Sequence, residues 1–452
     1  MKNILIFGAG RSSHVLIRYL LRESEKNNFQ ITVVDHKIKL VNQRIIGHKN
    51  GQAVKLDIQN DEERDRLIVK ADIVISMLPV SFHHIIAQSC LKFKKNLITA
   101  SYVTPEIEKL NKDVKNAGII FLNECGLDPG IDHMSAMSVI DKIRNSGNTI
   151  RSFETFTGGL LAPNPDENPW QYKFTWNPRN VVLAGKGGVK FLQEGKYKYI
   201  PYHKVFRRTE MVHIPGHGYF EGYANRDSLK YMKLYGLEGI KTLYRGTFRR
   251  PGFCRAWDIF VQLGATADDY MMDNVDKMTH KDFINSFLSY NPYDSVELKL
   301  AHYINLPFNS SEMFKMRWLG MFDDEPVGLS EGSPALILEH ILKKRWAMNK
   351  TDLDMVVMWH KFEYFEDDKL KVINAYMIAT GEDADNTGMA KTVGLPIGMA
   401  AKLILENRIM LKGVQIPIKE EIYKPILEGL KTSGVEVKEE KPREIKMPDN
   451  NL

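Results

Sequence analysis

The chain has 452 residues, 43% of them hydrophobic and 26% charged, which is the composition of a globular protein and a length typical of two or three domains. Its net charge of +6 is small for this length, and its basic clusters are short and scattered, which argues against a nucleic-acid-binding groove. Its three cysteines, Cys90, Cys125 and Cys254, lie far apart and fit neither a disulfide framework nor a zinc site.

The first third of the chain contains short apolar runs rich in β-branched residues, separated by helical patterns. We predict strands in six of them: 3–8, 30–35, 52–58, 71–78, 95–101 and 118–123. We predict helices at 12–21 and 105–116. Apolar runs that alternate with helices are typical of parallel strands covered on both faces. The pattern predicts an α/β protein built on a Rossmann-type, doubly wound parallel sheet.

A glycine-rich turn, "GAGRSS", follows the first predicted strand. Gly8 allows a tight turn from strand to helix, and Gly10 allows the backbone to approach a pyrophosphate at the start of the helix. Ser13 stands where the usual motif has a third glycine. Because the turn follows a strand and precedes a helix, it predicts a dinucleotide site.

Asp35 ends the second predicted strand, where a carboxylate accepts hydrogen bonds from the adenosine ribose and repels a 2′-phosphate. This position favours NAD. His36, Lys37 and Lys39 follow directly and provide positive charge that suits a phosphate, so NADP stays the alternative.

The stretch "NECGLDPGIDHM" (123–134) follows the last predicted strand of this sheet. Ligands of such sheets bind outside the carboxyl ends of the strands, so this stretch should lie close to the loops at 76–84 and 99–105. Turn formation explains its proline and glycines, but not its acids. The candidate proton-transfer groups in these loops are Tyr102, Asp128, Asp132 and His133. His83 and His84 are interpreted as the start of a helix, and we expect no metal site.

Beyond residue 134 the pattern changes. Residues 151–258 mix strand-like runs with loops, residues 259–348 carry helical periodicity, strands return at 354–379, and a helix rich in small residues is predicted at 388–407. Four arginines lie in tight turns of the second region: Arg226, Arg245, Arg249 and Arg250. Guanidinium groups bind carboxylates through two parallel hydrogen bonds, so this set suits a small substrate with several carboxylates. Solvent-exposed arginines are the alternative.

Several long motifs resemble saccharopine dehydrogenase of the glutamate-forming type, also called saccharopine reductase. They include "TASYVTPEIEKLNKDVKNAGI", "NECGLDPGIDHMSAM", "YANRDS", "LYRGTFRRPGF" and "GMAKTVGLPIGMAAKLILENRI". The resemblance runs in unbroken order from residue 4 to about 432. It implies NAD(P)-dependent interconversion of L-saccharopine with L-glutamate and 2-aminoadipate 6-semialdehyde through an imine, in lysine metabolism.

The resemblance also implies a domain organisation. A Rossmann domain of residues 1–130 would be completed by about 388–432, and a substrate-binding and dimerisation domain with a mixed sheet would comprise 131–258 and about 350–387. An inserted all-helical domain would comprise 259–349. We further expect a cytoplasmic homodimer, with no signal peptide, no membrane-spanning run and no nucleic-acid partner.

The family's site positions are carried over residue by residue. Asp128 and Tyr102 are the expected catalytic residues. The expected saccharopine contacts are Ser101, Tyr102, Asp128, Arg226, Thr247, Phe248 and Arg249. The expected cofactor contacts are Gly8, Gly10, Arg11, Ser12, Ser13, Asp35, Ser76, Met77, Leu78, Pro79, Ala100, Ser101, Gly126, Leu127, Asp128 and Thr175.

The chain departs from the family pattern at Thr157, where fungal members carry a cysteine considered for acid–base work. Threonine does not titrate near neutral pH, so that role is dispensable or belongs to Tyr102 and Asp128. Two other functions remain open. An imine-reducing relative such as carboxynorspermidine synthase would need acids rather than Arg226 and Arg249, and a non-catalytic dinucleotide-binding protein would not need Asp128.

Overall fold

The computed structural model describes residues 1–163 and 168–446. Its strands are β1 (Lys2–Phe7), β2 (Phe29–Asp35), β3 (Gly51–Lys55), β4 (Ile73–Ser76), β5 (Asn96–Thr99), β6 (Ile120–Leu122), β7 (Thr149–Leu161), β8 (Val189–Gln193), β9 (Lys196–Ile200), β10 (Thr209–Ile214), β11 (Gly218–Ala224), β12 (Thr242–Arg249), β13 (Asp354–Glu366), β14 (Lys369–Thr380), β15 (Gly413–Gln415), β16 (Val437–Glu439) and β17 (Arg443–Glu444).

Its α-helices are α1 (Ser13–Asn27), α2 (Ile38–Ile45), α3 (Asp61–Lys70), α4 (His83–Lys92), α5 (Pro105–Lys109), α6 (Asn111–Asn116), α7 (Ile131–Asn145), α8 (Pro178–Val182), α9 (Lys230–Leu234), α10 (Phe253–Leu263), α11 (His280–Asn285), α12 (Val296–Tyr303), α13 (Ser311–Trp318), α14 (Pro334–Trp346), α15 (Gly388–Leu405) and α16 (Glu420–Thr432).

The chain forms two compact units. The first unit comprises residues 1–150 and 353–452, and the second unit comprises residues 151–352. The division into three domains that the family resemblance implies stays a prediction.

The first unit contains a parallel sheet with the strand order β15-β6-β5-β4-β1-β2-β3. Its six N-terminal strands have the order of a Rossmann fold, with β1 between β2 and β4, so that the carboxyl ends of β1, β4, β5 and β6 share one edge. Apolar side chains fill both faces, since Ile4 and Ile75 are buried on one face and Leu5 and Val74 are buried on the other. The predicted doubly wound parallel sheet is confirmed.

The C-terminal segment extends this sheet. Strand β15 pairs with β6, and α15 packs on α1. A Cβ atom at Gly394 would lie 2.8 Å from the backbone nitrogen of Leu16, and one at Gly398 would lie 2.6 Å from the ring of Tyr19. The small residues of α15 therefore allow its close approach to α1.

Helix α15 is long and apolar enough to cross a membrane by length and composition, with a mean hydropathy of 1.2, but 72% of it is buried inside the protein. This corrects the expectation that no apolar run reaches that length.

The first unit also contains the hairpin of β13 and β14, whose two turn residues, Asp367 and Asp368, both have positive φ. Such a pair is typical of the tight turn that matches the twist of a hairpin.

The second unit contains a mixed sheet. β10, β11 and β12 are antiparallel neighbours, and β7 lies parallel to β12. From Phe253 to Trp346 its regular structure is helical, which agrees with the predicted helical segment. An aromatic cluster forms much of its core, with Trp170, Trp257 and Trp346 almost completely buried.

Candidate active site

The glycine turn has the geometry that its sequence predicts. Gly8 has a φ of +101°, and a Cβ atom there would lie 2.8 Å from the carbonyl oxygen of Met77, so only glycine fits. A Cβ atom at Gly10 would meet no atom of the described residues within 4 Å. The space beside Gly10 is therefore open to a ligand.

Helix α1 begins at Ser13 without a side-chain cap on its first backbone N–H groups, and the N-cap residue Ser12 is half-buried. Arg11 is exposed beside them. This arrangement fits the pyrophosphate of a dinucleotide.

Asp35 lies against this turn. Its Oδ2 accepts a hydrogen bond from the Ala9 N–H at 2.9 Å, and its Oδ1 accepts one from the Lys37 N–H at 2.9 Å. The His36 ring lies 3.0 Å from Oδ1. The carboxylate is thus fixed where a ribose bound on the turn would meet it, while Lys37 and Lys39 remain exposed. A dinucleotide fits these residues, and Asp35 favours one without a 2′-phosphate.

The loop after β6 folds tightly on itself. The Gly126 N–H donates to the Pro129 carbonyl at 3.0 Å, and a Cβ atom at Gly130 would lie 2.0 Å from the Gly126 carbonyl oxygen. Gly126 also packs on Ala100, since a Cβ atom at Gly126 would lie 3.0 Å from the Ala100 Cβ. Leu127 is buried in this loop, and Asp128 is half-buried and reachable from solvent. The two glycines therefore close the loop, and Asp128 is presented at its surface.

The two expected catalytic residues are neighbours. The Tyr102 hydroxyl donates a hydrogen bond to Asp128 Oδ1 at 3.3 Å. Both side chains are half-buried. A phenol and a carboxylate in contact are groups that can take part in proton transfer, which is the role that the sequence predicts for this pair.

Asp132 and His133, the other two candidates, point elsewhere. The His133 Nε2 lies 2.8 Å from Glu124 Oε2, and Glu124 Oε1 accepts from the Val103 N–H at 3.0 Å. Asp132 Oδ1 accepts from the Gly130 N–H at 2.6 Å. Both side chains are almost completely buried. They brace the loops that hold Tyr102 and Asp128.

The helix start that the sequence predicts at His83 is confirmed, but the sequence does not predict the contacts of its ring. Its Nδ1 lies 2.8 Å from the Ser76 Oγ, and its Nε2 lies 2.7 Å from the Ser101 Oγ. Burial lowers the pKa of His83 to about 4, so the ring is neutral at physiological pH. Ser76 is fully buried at the end of β4, and Met77 and Leu78 follow it half-buried, with Pro79 exposed.

Arg249 is the most unusual polar residue of the second unit. It is 3% exposed, and three aromatic rings surround its guanidinium, with the Tyr172, Phe253 and Tyr223 ring centroids at 5.0, 5.2 and 5.8 Å. Its Nη1 donates to the Phe248 carbonyl at 2.9 Å, and its Nε has no hydrogen-bond partner among the described residues. Among residues 1–163 and 168–446 it forms no ion pair. A buried guanidinium without a carboxylate partner is costly, and a carboxylate ligand would relieve that cost.

Glu221 could have been that partner, because it lies opposite Arg249 in the antiparallel pair of β11 and β12. Its Oε2 instead accepts from the Cys254 N–H at 3.1 Å. The carboxylate closest in the strand register is therefore used to hold the start of α10, and the guanidinium stays available.

Thr247 lies two residues before Arg249 on the same face of β12. It pairs with Thr157 of β7 and accepts a hydrogen bond from the Asn225 side chain at 3.1 Å. The Thr157 hydroxyl is buried, and within the described part of the chain it has no hydrogen-bond partner. Phe248 points to the opposite face, where it stacks on Phe156 at 5.2 Å. Any contact of Phe248 with a ligand on the Arg249 face would therefore use its backbone.

The remaining two predicted residues of the second unit differ in burial. Arg226 is exposed, with a φ of +56° and its carbonyl oxygen bound to the Lys190 N–H at 3.1 Å. Thr175 is buried, and no described residue is a hydrogen-bond partner of its hydroxyl.

The described residues contain no group of three or more His, Cys, Asp or Glu side chains that could hold a metal ion.

Two family models match the chain. Residues 4–122 match the saccharopine dehydrogenase NADP binding domain, and residues 126–435 match the saccharopine dehydrogenase C-terminal domain. The first of these supports the cofactor that the sequence analysis kept as the alternative.

Named relatives agree with these models. The chain is 35% identical to the mitochondrial alpha-aminoadipic semialdehyde synthase of Bos taurus, over 96% of its own length and 47% of that protein. It is 30% identical to the NADP(+), L-glutamate-forming saccharopine dehydrogenase of Schizosaccharomyces pombe, over 97% of its own length and 99% of that protein. The chain thus spans about half the length of the animal synthases and nearly all of the fungal enzyme.

A solved structure has the same fold. The apo, histidine-tagged, L-Glu-forming saccharopine dehydrogenase of Saccharomyces cerevisiae superposes with a TM-score of 0.88 at 28% identity, and the match covers 97% of this chain and 99% of that one. The α/β fold with a Rossmann-type sheet, a mixed sheet and a helical part is therefore confirmed, and the chain belongs to the saccharopine dehydrogenase family.

Proposed function

We propose that the chain interconverts L-saccharopine with L-glutamate and 2-aminoadipate 6-semialdehyde, using a nicotinamide dinucleotide. When bound, the dinucleotide supplies the hydride acceptor. The observation that carries the proposal is Arg249, whose buried guanidinium has no acidic partner in the described parts of the chain. Saccharopine has three carboxylates, and one of them would complete the hydrogen bonding of this group.

The other second-unit residues extend this binding site. We propose that three further groups contact the substrate or the cofactor: the hydroxyls of Thr247 and Thr175 and the side chain of Arg226. Arg226, which is exposed, would bind a second carboxylate more weakly than Arg249 does, because solvent screens the charges. A substrate with one carboxylate and several amines would not match two arginines, which disfavours carboxynorspermidine synthesis.

Tyr102 and Asp128 are assigned to proton transfer. Loss of hydride from the carbon beside the secondary amine gives an imine, which water then hydrolyses to an amine and an aldehyde. Asp128 takes a proton from the attacking water and returns one to the leaving amine, while Tyr102 holds the carboxylate through its hydroxyl at 3.3 Å. The Glu124–His133 pair keeps the backbone beside Tyr102 in place.

The choice between NAD and NADP depends on Asp35. Its fixed carboxylate supports NAD, whereas the family model and the fungal relatives support NADP. Replacing Asp35 with Ser removes the negative charge and leaves His36, Lys37 and Lys39. We expect the ratio of kcat/KM with NADP to kcat/KM with NAD to rise about 10-fold or more in Asp35→Ser, since one charge contact at this position contributes about 1.4 kcal/mol or more. An unchanged ratio would remove Asp35 from cofactor selection.

The direct test of the function is to mix the purified protein with saccharopine and either NAD or NADP, and to follow the absorbance of the reduced nicotinamide. We expect turnover with at least one of the two and formation of glutamate. Absence of turnover with both would refute the proposed activity.

We further propose that the protein is a cytoplasmic homodimer. We also propose the division into three domains given above, with boundaries after residues 130, 258, 349 and about 387. These proposals rest on the family resemblance. Light scattering on the purified protein measures its mass in solution, which is 51.9 kDa for a monomer. A monomeric mass would exclude the homodimer.

A further inference from the structure

We infer that His83 is a positioning residue that sets the direction of the Ser101 hydroxyl and so determines what Ser101 offers to a bound ligand. The inference rests on the proposed function for the identity of that ligand. His83 itself is buried, with 1% exposure, and acts through Ser101.

The contacts form one line of hydrogen bonds. Ser76, at the carboxyl end of β4, contacts one nitrogen of His83 at 2.8 Å, and Ser101, just beyond β5, contacts the other at 2.7 Å. The Thr99 hydroxyl lies farther from this second nitrogen, at 3.4 Å. The Ser101 N–H donates to the Thr99 hydroxyl oxygen at 3.2 Å, so its backbone is fixed as well. The line begins at a fully buried hydroxyl and ends at Ser101, which is half-buried at the edge of the sheet where ligands of this fold bind.

The neutral state of the ring gives this line its function. A neutral imidazole donates from one nitrogen and accepts at the other. When Nε2 donates to Ser101, the Ser101 proton points away from the ring and is available to an acceptor such as a carboxylate. When Nε2 accepts, Ser101 offers only a lone pair. A charged ring would donate from both nitrogens and would remove this choice, but burial keeps the ring neutral.

His83 differs from its neighbour His84, which is exposed on the same helix. Phe82 precedes the pair as the N-cap of α4, without a side-chain cap hydrogen bond. His84→Ala is therefore a matched control, because it removes an imidazole from the same turn without touching Ser101.

The test is a double-mutant cycle on the full-length protein with saccharopine as substrate. His83→Asn keeps an amide near the position of Nδ1 and loses the contact to Ser101, whereas His83→Gln places an amide near Nε2 and restores it. We expect His83→Asn and Ser101→Ala each to raise KM by about 5- to 10-fold, the effect of one hydrogen bond, with His83→Gln and His84→Ala close to wild type.

The double variant decides between positioning and simple structural support. If His83 acts through Ser101, His83→Asn adds nothing once Ser101 is alanine, and the double variant matches Ser101→Ala. Additive losses, or a His83→Gln variant as impaired as His83→Asn, would overturn the inference. So would loss of one limb of the pH profile of kcat/KM in His83→Asn, because a positioning residue that stays neutral leaves the profile unchanged.

Failure of the proposed function would be recognised separately. If the wild-type protein does not turn over saccharopine, the same four single variants and the double variant are compared by the dissociation constant of the reduced dinucleotide, for which Ser101 is also an expected contact. A non-additive cycle there supports the role of His83, and an additive one rejects it.

Discussion

The candidate site residues of the two units differ in how far the protein itself satisfies their polar groups. In the first unit, both ring nitrogens of His83 and both carboxylate oxygens of Asp35 contact groups of the protein itself. In the second unit, Arg249 Nε and the hydroxyls of Thr157 and Thr175 are buried, and the described residues provide no partner for them.

This difference indicates how each unit prepares for its ligand. The first unit is organised in advance, because internal hydrogen bonds fix the groups that we propose for dinucleotide binding. The second unit retains unsatisfied donors, which lowers its stability and leaves binding energy available to a ligand that supplies acceptors. A carboxylate is the ligand that a guanidinium suits best.

The largest effect is expected for Asp128 in the first unit. Asp128→Ala should lower kcat by about 100- to 10,000-fold, because the variant lacks the carboxylate that transfers protons to and from the amine. Binding of the dinucleotide should survive, since its turn at Gly8 and Gly10 is untouched. Turnover would be measured by nicotinamide absorbance and binding by the fluorescence of the reduced cofactor. Turnover like that of the wild type would remove Asp128 from the mechanism.

A smaller but still large effect is expected for Arg249. Arg249→Met keeps a side chain of similar reach and removes the charge, so the KM for saccharopine should rise by about 100-fold, or roughly 3 kcal/mol. Arg250→Met is the control, because Arg250 lies against the Phe220 ring and is not buried with Arg249. Equal KM values for the two variants would show that the burial of Arg249 has no role in binding.

The smallest of the three effects is expected for Arg226. This side chain is exposed, so a carboxylate bound to it remains partly solvated. Arg226→Ala should raise the KM for saccharopine by about 10-fold, which is about 1.4 kcal/mol. An increase in KM larger than that of Arg249→Met would contradict this account, because the buried arginine is expected to bind its carboxylate more strongly than the exposed one.

Much of the first unit follows from its sequence, because local pattern determines it. The strands through β6, the glycine turn and the position of Asp35 all depend on apolar periodicity and on turn chemistry close in the chain. The closure of the loop at Gly126 and Gly130 could be expected from its glycines, although not its packing on Ala100.

Other features depend on contacts between distant residues. No sequence pattern shows that His83 meets Ser101, which lies 18 residues later. Arg226 and Arg249 look alike in the sequence, and only the packing of Tyr172, Tyr223 and Phe253 makes one of them buried. The inward position of Phe248 could have been predicted, because strand alternation places it opposite Thr247 and Arg249.

The most direct test of the central claim is thermal unfolding of the wild type and of Arg249→Met, each with and without saccharopine and without dinucleotide. If the ligand completes the hydrogen bonding of Arg249, the unliganded variant should unfold at a temperature no lower than the wild type, because it no longer buries an unpaired charge. Saccharopine should then raise the unfolding temperature of the wild type by more than that of the variant. A variant that unfolds earlier than the wild type and is stabilised equally by saccharopine would contradict this account.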